Sequence, residues 1–145
     1  MRTSTNAKYR KGFTLVEIMA VVLILALLMG IAAKNFIGMT DKARVTTTKA
    51  TLKELHGAVN MFKLDTGRYP TEEEGLYALI EAPTDVEGWT GYLETTDVPP
   101  DAWKNELVYM LNPESGKPFV IISYGADRKE GGEGYDMDLY STDVD

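Results

Sequence analysis

Two sets of residues in this sequence have types and spacing that bear on chemistry: a glutamate inside an apolar run, and three aspartates inside a glycine-rich one. Glu17 lies in RKGFTLVEIMAVVLILALLMGIAAK, Arg10 to Lys34, five residues after Gly12. A carboxylate in a membrane helix costs on the order of 2.5–3.5 kcal/mol at the bilayer centre and less near the interface, so it calls for a partner. Asp127, Asp136 and Asp138 lie in SYGADRKEGGEGYDMDLYSTD, with no cysteine or histidine nearby. Oxygen-only donors on flexible backbone suit calcium, which takes about six to eight oxygens and tolerates irregular geometry. Gly125, Gly131, Gly132 and Gly134 allow carbonyls to turn toward an ion. The spacing is not that of an EF-hand loop. A merely solvated acidic loop accounts for the same composition, and on the residues alone both readings stand.

Other chemistries are excluded by what is missing. The 145 residues contain no cysteine and a single histidine, which removes disulfides, thiol catalysis, cysteine-bound metals and histidine clusters. His56 stands in a polar-flanked helical stretch and is expected at the surface or half-buried. Residues 65–145 hold five basic residues against nineteen acids, a balance of −14. That is a poor surface for nucleic acid, which is bound through Lys and Arg on phosphates. No nucleotide-binding motif and no general acid/base pair is evident, so an enzyme such as a membrane-anchored metal hydrolase is the weakest reading.

The element that must position Glu17 is a membrane helix. Phe13 to Ala33 is 21 residues, a helical length of roughly 31 Å, which matches the hydrocarbon core of a bilayer. Arg2, Lys8, Arg10 and Lys11 precede it with no acid, which places the N-terminus in the cytoplasm and the remainder across the membrane. The apolar core is longer than the roughly 7–15 residues of a secretory signal, and Ala32-Ala33-Lys34 is a weak cleavage site. If a peptidase cut between Gly12 and Phe13, the new α-amine would lie about one helical turn from Glu17. It could then be neutralised by Glu17 or by the carboxylate of a neighbouring copy.

KGFTLVEIMAVVLILALL resembles the signal of type IV pilins and of the pseudopilins of type II secretion: a basic leader ending in glycine, then phenylalanine, then glutamate as the fifth mature residue. The resemblance implies a prepilin peptidase that cleaves after Gly12 and methylates the Phe13 amine. It also implies a filament whose central helices pair Glu17 with the Phe13 amine of an adjacent subunit. Relatives commonly carry a proline before the asparagine where this chain has Lys34-Asn35.

Downstream, Leu52, Leu55, Val59 and Phe62 follow a 3-4-3 spacing, the seam of an amphipathic helix. Lys42, Arg44, Lys49, Lys53 and Lys63 occupy its opposite face. Thr46-Thr47-Thr48 has low helix propensity and is expected to bend or loosen the helix, as Gly30 and Gly38 could; Gly67 is its expected C-cap. YPTEEEGLYALIEAP reads as a short second helix capped reciprocally by Thr71 and Glu74 and stopped by Pro83. Capping explains its glutamates better than a metal site does. The alternation Leu107, Tyr109, Leu111, the turn NPESGKP and the run FVIISYG predict an antiparallel hairpin packed on the long helix.

RYPTEEEGLYAL, VPPDAWKNE and ISYGADRKEGGEGYDMDL extend the resemblance to the major pseudopilins of type II secretion, over Lys11 to Leu139. Ala102 stands where relatives have proline, and Lys104 and Arg128 where they have glycine. The tail YSTDVD lacks the usual tryptophan. The resemblance implies a calcium ion in the C-terminal loop, held by Asp127 and Asp138, by Asp136, and by the backbone carbonyl of Tyr124. Type IV pilins often tie this region with a disulfide, so the absence of cysteine favours the pseudopilin branch.

The expectation is therefore an α+β, type IV pilin-like chain. Residues 1–12 are a cleaved leader, 13–33 a transmembrane and assembly helix, 34–64 its amphipathic continuation, and 65–145 a globular periplasmic region with a small antiparallel sheet and a calcium loop. The implied function is a structural subunit of a periplasmic pseudopilus that drives export of folded proteins across the outer membrane. Its implied partners are other copies of itself, minor pseudopilins, the prepilin peptidase, the inner-membrane assembly platform and, before assembly, the membrane. The alternative is a type IV pilin of a surface filament for adhesion, motility or electron transfer.

Overall fold

A computed structural model describes residues 12–144, with side chains outside 33–38. The leader cations Arg2, Lys8, Arg10 and Lys11 lie outside the described residues. Contacts divide the chain into two compact units between Met39 and Thr40.

The helix α1 spans Leu15–Thr66, 52 residues. Its stretch Leu15–Ala32 is long and apolar enough to cross a membrane, and none of it is buried within the chain. Gly30, Gly38 and the threonine run all fall inside α1, so the expected loosening at Thr46–Thr48 is corrected. Thr46 and Thr51 donate their hydroxyls to the carbonyls of Lys42 and Thr47 at 3.1 and 3.2 Å. Thr48 is fully buried, and its Oγ1 accepts the Ala102 N–H at 3.1 Å. A propensity deficit of about half a kcal/mol per residue is offset by a tertiary hydrogen bond and burial.

The seam is the core. Leu52, Leu55, Val59 and Phe62 are each 0% exposed, and full burial of such a side chain contributes about 1.5–3 kcal/mol. They pack with Leu76, Leu79, Phe119, Ile121 and Leu139. The end of α1 is capped as the sequence predicts: Gly67 adopts φ 80° and its N–H reaches Lys63 O at 3.0 Å.

Beyond the cap, Thr71 and Glu74 exchange both bonds of a capping box, but around the turn that precedes the second helix, whose N-cap is Glu74 with no side-chain cap bond. Thr71 N–H donates to Glu74 Oε2 at 2.8 Å, and Glu74 N–H to Thr71 Oγ1 at 3.2 Å. The second helix, Gly75–Leu79, is a short 3₁₀ helix, and Gly75 at φ 54° separates it from the turn before. Glu74 also takes a two-pronged contact from Arg68 at 2.6 and 2.7 Å, and Glu72 accepts the Leu111 N–H at 3.4 Å. Trp89 anchors the following loop by donating Nε1–H to Ala78 O at 2.8 Å.

The hairpin pairs β1 (Val108–Leu111) with β2 (Phe119–Ser123), and Leu111 lies opposite Phe119 across the predicted seven-residue turn. A third strand, β3 (Leu139–Tyr140), pairs antiparallel with β2 and completes the order β1-β2-β3. Two residues cannot show an alternation, so β3 was not legible beforehand. It matters because it fixes Asp138, its immediate neighbour.

Candidate functional site

Two places hold the residues singled out by the sequence, one in each compact unit. In the first, Phe13 is 85% exposed, and a Cβ built on Gly12 would meet nothing within 4 Å. Glu17 stands in the first turn of α1. Its Oε2 accepts the Thr14 backbone N–H at 2.9 Å and the Thr14 hydroxyl at 3.2 Å, while Thr14 Oγ1 accepts the Glu17 N–H at 3.2 Å. That is a second capping box, T-L-V-E, with the same spacing as T-E-E-E at Thr71. The sequence signal for Thr14 is the Ser/Thr-x-x-Glu spacing, which the charge of Glu17 overshadows. The box gives the carboxylate hydrogen bonds within its own chain, which lowers the cost of holding it at a bilayer interface.

The second place is the glycine-rich loop between β2 and β3. Its ends are drawn together: Ala126 N–H donates to Tyr135 O at 3.1 Å. At Gly125, φ 62°, a Cβ would lie 2.8 Å from Tyr135 O, so a side chain there would keep the two strands of the loop apart. Asp138 is 7% exposed. Its Oδ2 accepts Gly131 N–H at 2.9 Å and the Tyr140 hydroxyl at 3.1 Å, and its Oδ1 is buried without a hydrogen-bond partner. Burial, together with that hydrogen bond to Asp138, pushes the Tyr140 phenol above its ordinary value. Asp127 is exposed and accepts the Lys129 N–H at 3.1 Å; Asp136 is exposed, and Tyr124, at the end of β2, is half-buried. Among the described residues no three acidic or imidazole side chains stand in a metal-holding group. The fold thus brings the four predicted positions into one closed loop, with only Asp138 buried.

A buried network behind the loop was not anticipated. Asp101, 3% exposed, accepts Trp103 N–H and Asn105 N–H on Oδ1 at 2.9 and 2.8 Å, and Ser123 Oγ–H on Oδ2 at 2.7 Å. Asn105 in turn donates Nδ2–H to Gly125 O at 2.8 Å. This chain of bonds ties the turn after Pro100 to the first residues of the loop. Two residues that carry a Cβ take left-handed backbone beside this network and in the loop: Lys104 at φ 66° and Arg128 at φ 63°.

The comparisons agree with this architecture. The family model of the type II secretion system, protein G, matches residues 35–142, and that of the prokaryotic N-terminal methylation motif matches residues 7–33. The chain is 39% identical over 141 residues to the type II secretion system core protein G of Pseudomonas aeruginosa, covering 94% of this chain and 97% of that one. It is 38% identical over 138 residues to the protein of the same name from Vibrio cholerae, covering 91% and 92%. The crystal structure of the major pseudopilin from the type 2 secretion system of enterohaemorrhagic Escherichia coli matches with a TM-score of 0.59 and 30% identity, over 73% of this chain and 92% of that one.

Proposed function

The chain belongs to the protein G family of type II secretion, the major pseudopilins, and on that premise we propose that it polymerises into a periplasmic pseudopilus whose growth drives folded proteins through the outer membrane. The observation that carries this reading is one sequence holding both motifs: the methylation motif over 7–33 and the protein G domain over 35–142. The surface-filament alternative lacks such support, since the relatives described above are all type II secretion proteins. The role is structural and needs no catalytic residue.

Processing would cut between Gly12 and Phe13 and methylate the Phe13 amine. The match of the N-terminal methylation motif over residues 7–33, which span Gly12 and Phe13, supports this. Anchored by Leu15–Ala32, the subunit would wait in the inner membrane with its C-terminal region in the periplasm. There Thr14 would hold Glu17 until the Phe13 amine of a neighbouring copy replaced it. Minor pseudopilins and the assembly platform would be its other partners.

Calcium fits the loop on one observation, the buried and unpartnered Oδ1 of Asp138. A buried carboxylate oxygen without a donor is costly unless a cation satisfies it. Asp127, Asp136, Asp138 and the Tyr124 carbonyl would hold the ion. Its contribution would be structural, binding the folded loop in preference to the unfolded chain.

The test is complementation of a secretion-competent bacterium lacking its own major pseudopilin, scoring export of a folded protein and the mass of the mature N-terminus. Export with a methylated Phe13 terminus is expected. Glu17→Ala should retain membrane insertion and lose filaments; normal filament yield from that variant would overturn the assembly role of Glu17.

A further inference from the structure

An open pocket of about 430 Å³ lies on the Thr40–Asp145 unit, between α1, the turn after β1 and the tail after β3. Lys53 and Lys117 line it, with His56, Asn60 and Thr142, and among the described residues no carboxylate does. Both lysines are exposed, and neither makes an ion pair among the described residues. His56 packs its ring on Phe119 at 4.5 Å between centroids. Its Nδ1 lies 3.1 Å from Ser141 Oγ, which already accepts the Ile121 N–H at 3.0 Å. The pocket is thus rich in donors and cations, on a chain whose residues 65–145 carry a balance of −14.

We propose that this pocket receives a carboxylate side chain from a second copy of the chain, so that Lys53 and Lys117 form a contact between neighbouring subunits. The inference rests on the polymer reading above and deepens it by naming a surface and its partner chemistry. Copies that each carry a strongly acidic C-terminal region repel one another when stacked, and a head-to-tail polymer needs complementary faces on each subunit. A pocket that, among the described residues, holds two ammonium groups outside any ion pair and no acid is the counter-surface. The occupant is a second copy because that polymer presents acidic residues beside every pocket at very high local concentration. Glu72, Glu73, Glu130 and Glu133, all in the acidic region, are candidate contributors.

The experiment uses the full chain in cells that carry the assembly machinery, with filament yield read from sheared fractions. Lys53→Glu combined with Lys117→Glu is expected to lower yield on the order of tenfold at low salt, because attraction becomes repulsion at two places per subunit. Membrane level and melting temperature should stay as in the wild type. A photo-crosslinker at position 60 should give chain-to-chain dimers whose second peptide comes from residues 65–145. Wild-type filaments with unchanged yield from the double variant would overturn this inference alone, as would crosslinks from position 60 to a different protein. Absence of filaments from the wild-type chain would overturn the polymer reading and this inference with it.

Discussion

Ser123 donates its hydroxyl to the buried carboxylate of Asp101 at 2.7 Å, and through that bond the end of β2 is tied to the turn after Pro100. Removing the acceptor leaves several buried donors unsatisfied, each costing about 1–3 kcal/mol less whatever water recovers. Asp101→Ala should therefore destabilise a soluble fragment of residues 40–145 by about 2–4 kcal/mol in urea unfolding. Ser123→Ala, which leaves the other donors on Asp101 in place, should cost about 1 kcal/mol. Equal losses from the two variants would show that the carboxylate is not the hub.

Lys104 and Arg128 hold left-handed backbone at φ 66° and 63°, a conformation that costs a residue with a Cβ about 1–2 kcal/mol and glycine almost nothing. Part of the gain from glycine returns as entropy of the unfolded chain. Lys104→Gly and Arg128→Gly should each raise stability by about 0.5–1 kcal/mol, seen as a rise of a few degrees in melting temperature. A fall in either variant would mean that its side chain makes a compensating contact.

Calcium should raise the melting temperature of the same fragment and EDTA should reverse the rise. At a hundredfold excess over the dissociation constant, the stabilisation is about 2.7 kcal/mol. Asp138→Asn keeps an oxygen for Gly131 N–H and for Tyr140, so the metal-free protein should melt within a few degrees of wild type. The calcium response should be lost, as it should be in Asp127→Ala. A full response in Asp138→Asn would remove Asp138 from the ligand set.

Acid should act in two steps. Burial lowers the His56 pKa below its ordinary 6.5, so the unfolded chain takes the proton first. The corresponding stability is complete above pH 6.5 and is lost as pH falls from there through the lowered value. The hydrogen bond from Arg68 holds Glu74 below its ordinary 4.5, so that contribution is complete above pH 4.5 and is lost further down. Denaturant midpoints measured against pH should lose the upper step in His56→Gln and the lower one in Arg68→Gln. An unchanged profile in either variant would reassign that step.

Much of this was legible along the chain, and the reason is periodicity and local chemistry. The seam Leu52, Leu55, Val59, Phe62 follows from the helical repeat alone, the cap at Gly67 from its need for positive φ, and the hairpin from two apolar runs about a seven-residue turn. Each is decided by residues close in sequence. Thr14 is equally local, three residues before the Glu17 it caps with.

What the tertiary structure decided lies in contacts between distant residues. Nothing near Thr48 announces that Ala102 will donate to it across 54 positions, or that a threonine run will stay helical for that reason. Asp101 reads as a turn residue until Ser123 meets it, and the two-residue β3 exists only because β2 offers it an edge. The sequence by itself determined the apolar N-terminal helix, the methylation motif and the acidic, glycine-rich composition of the loop. Tertiary packing decided which aspartate is buried and where Lys53, His56 and Lys117 share one pocket. Hydrogen bonds and burial depend on which groups fold face to face, and that depends on the whole chain.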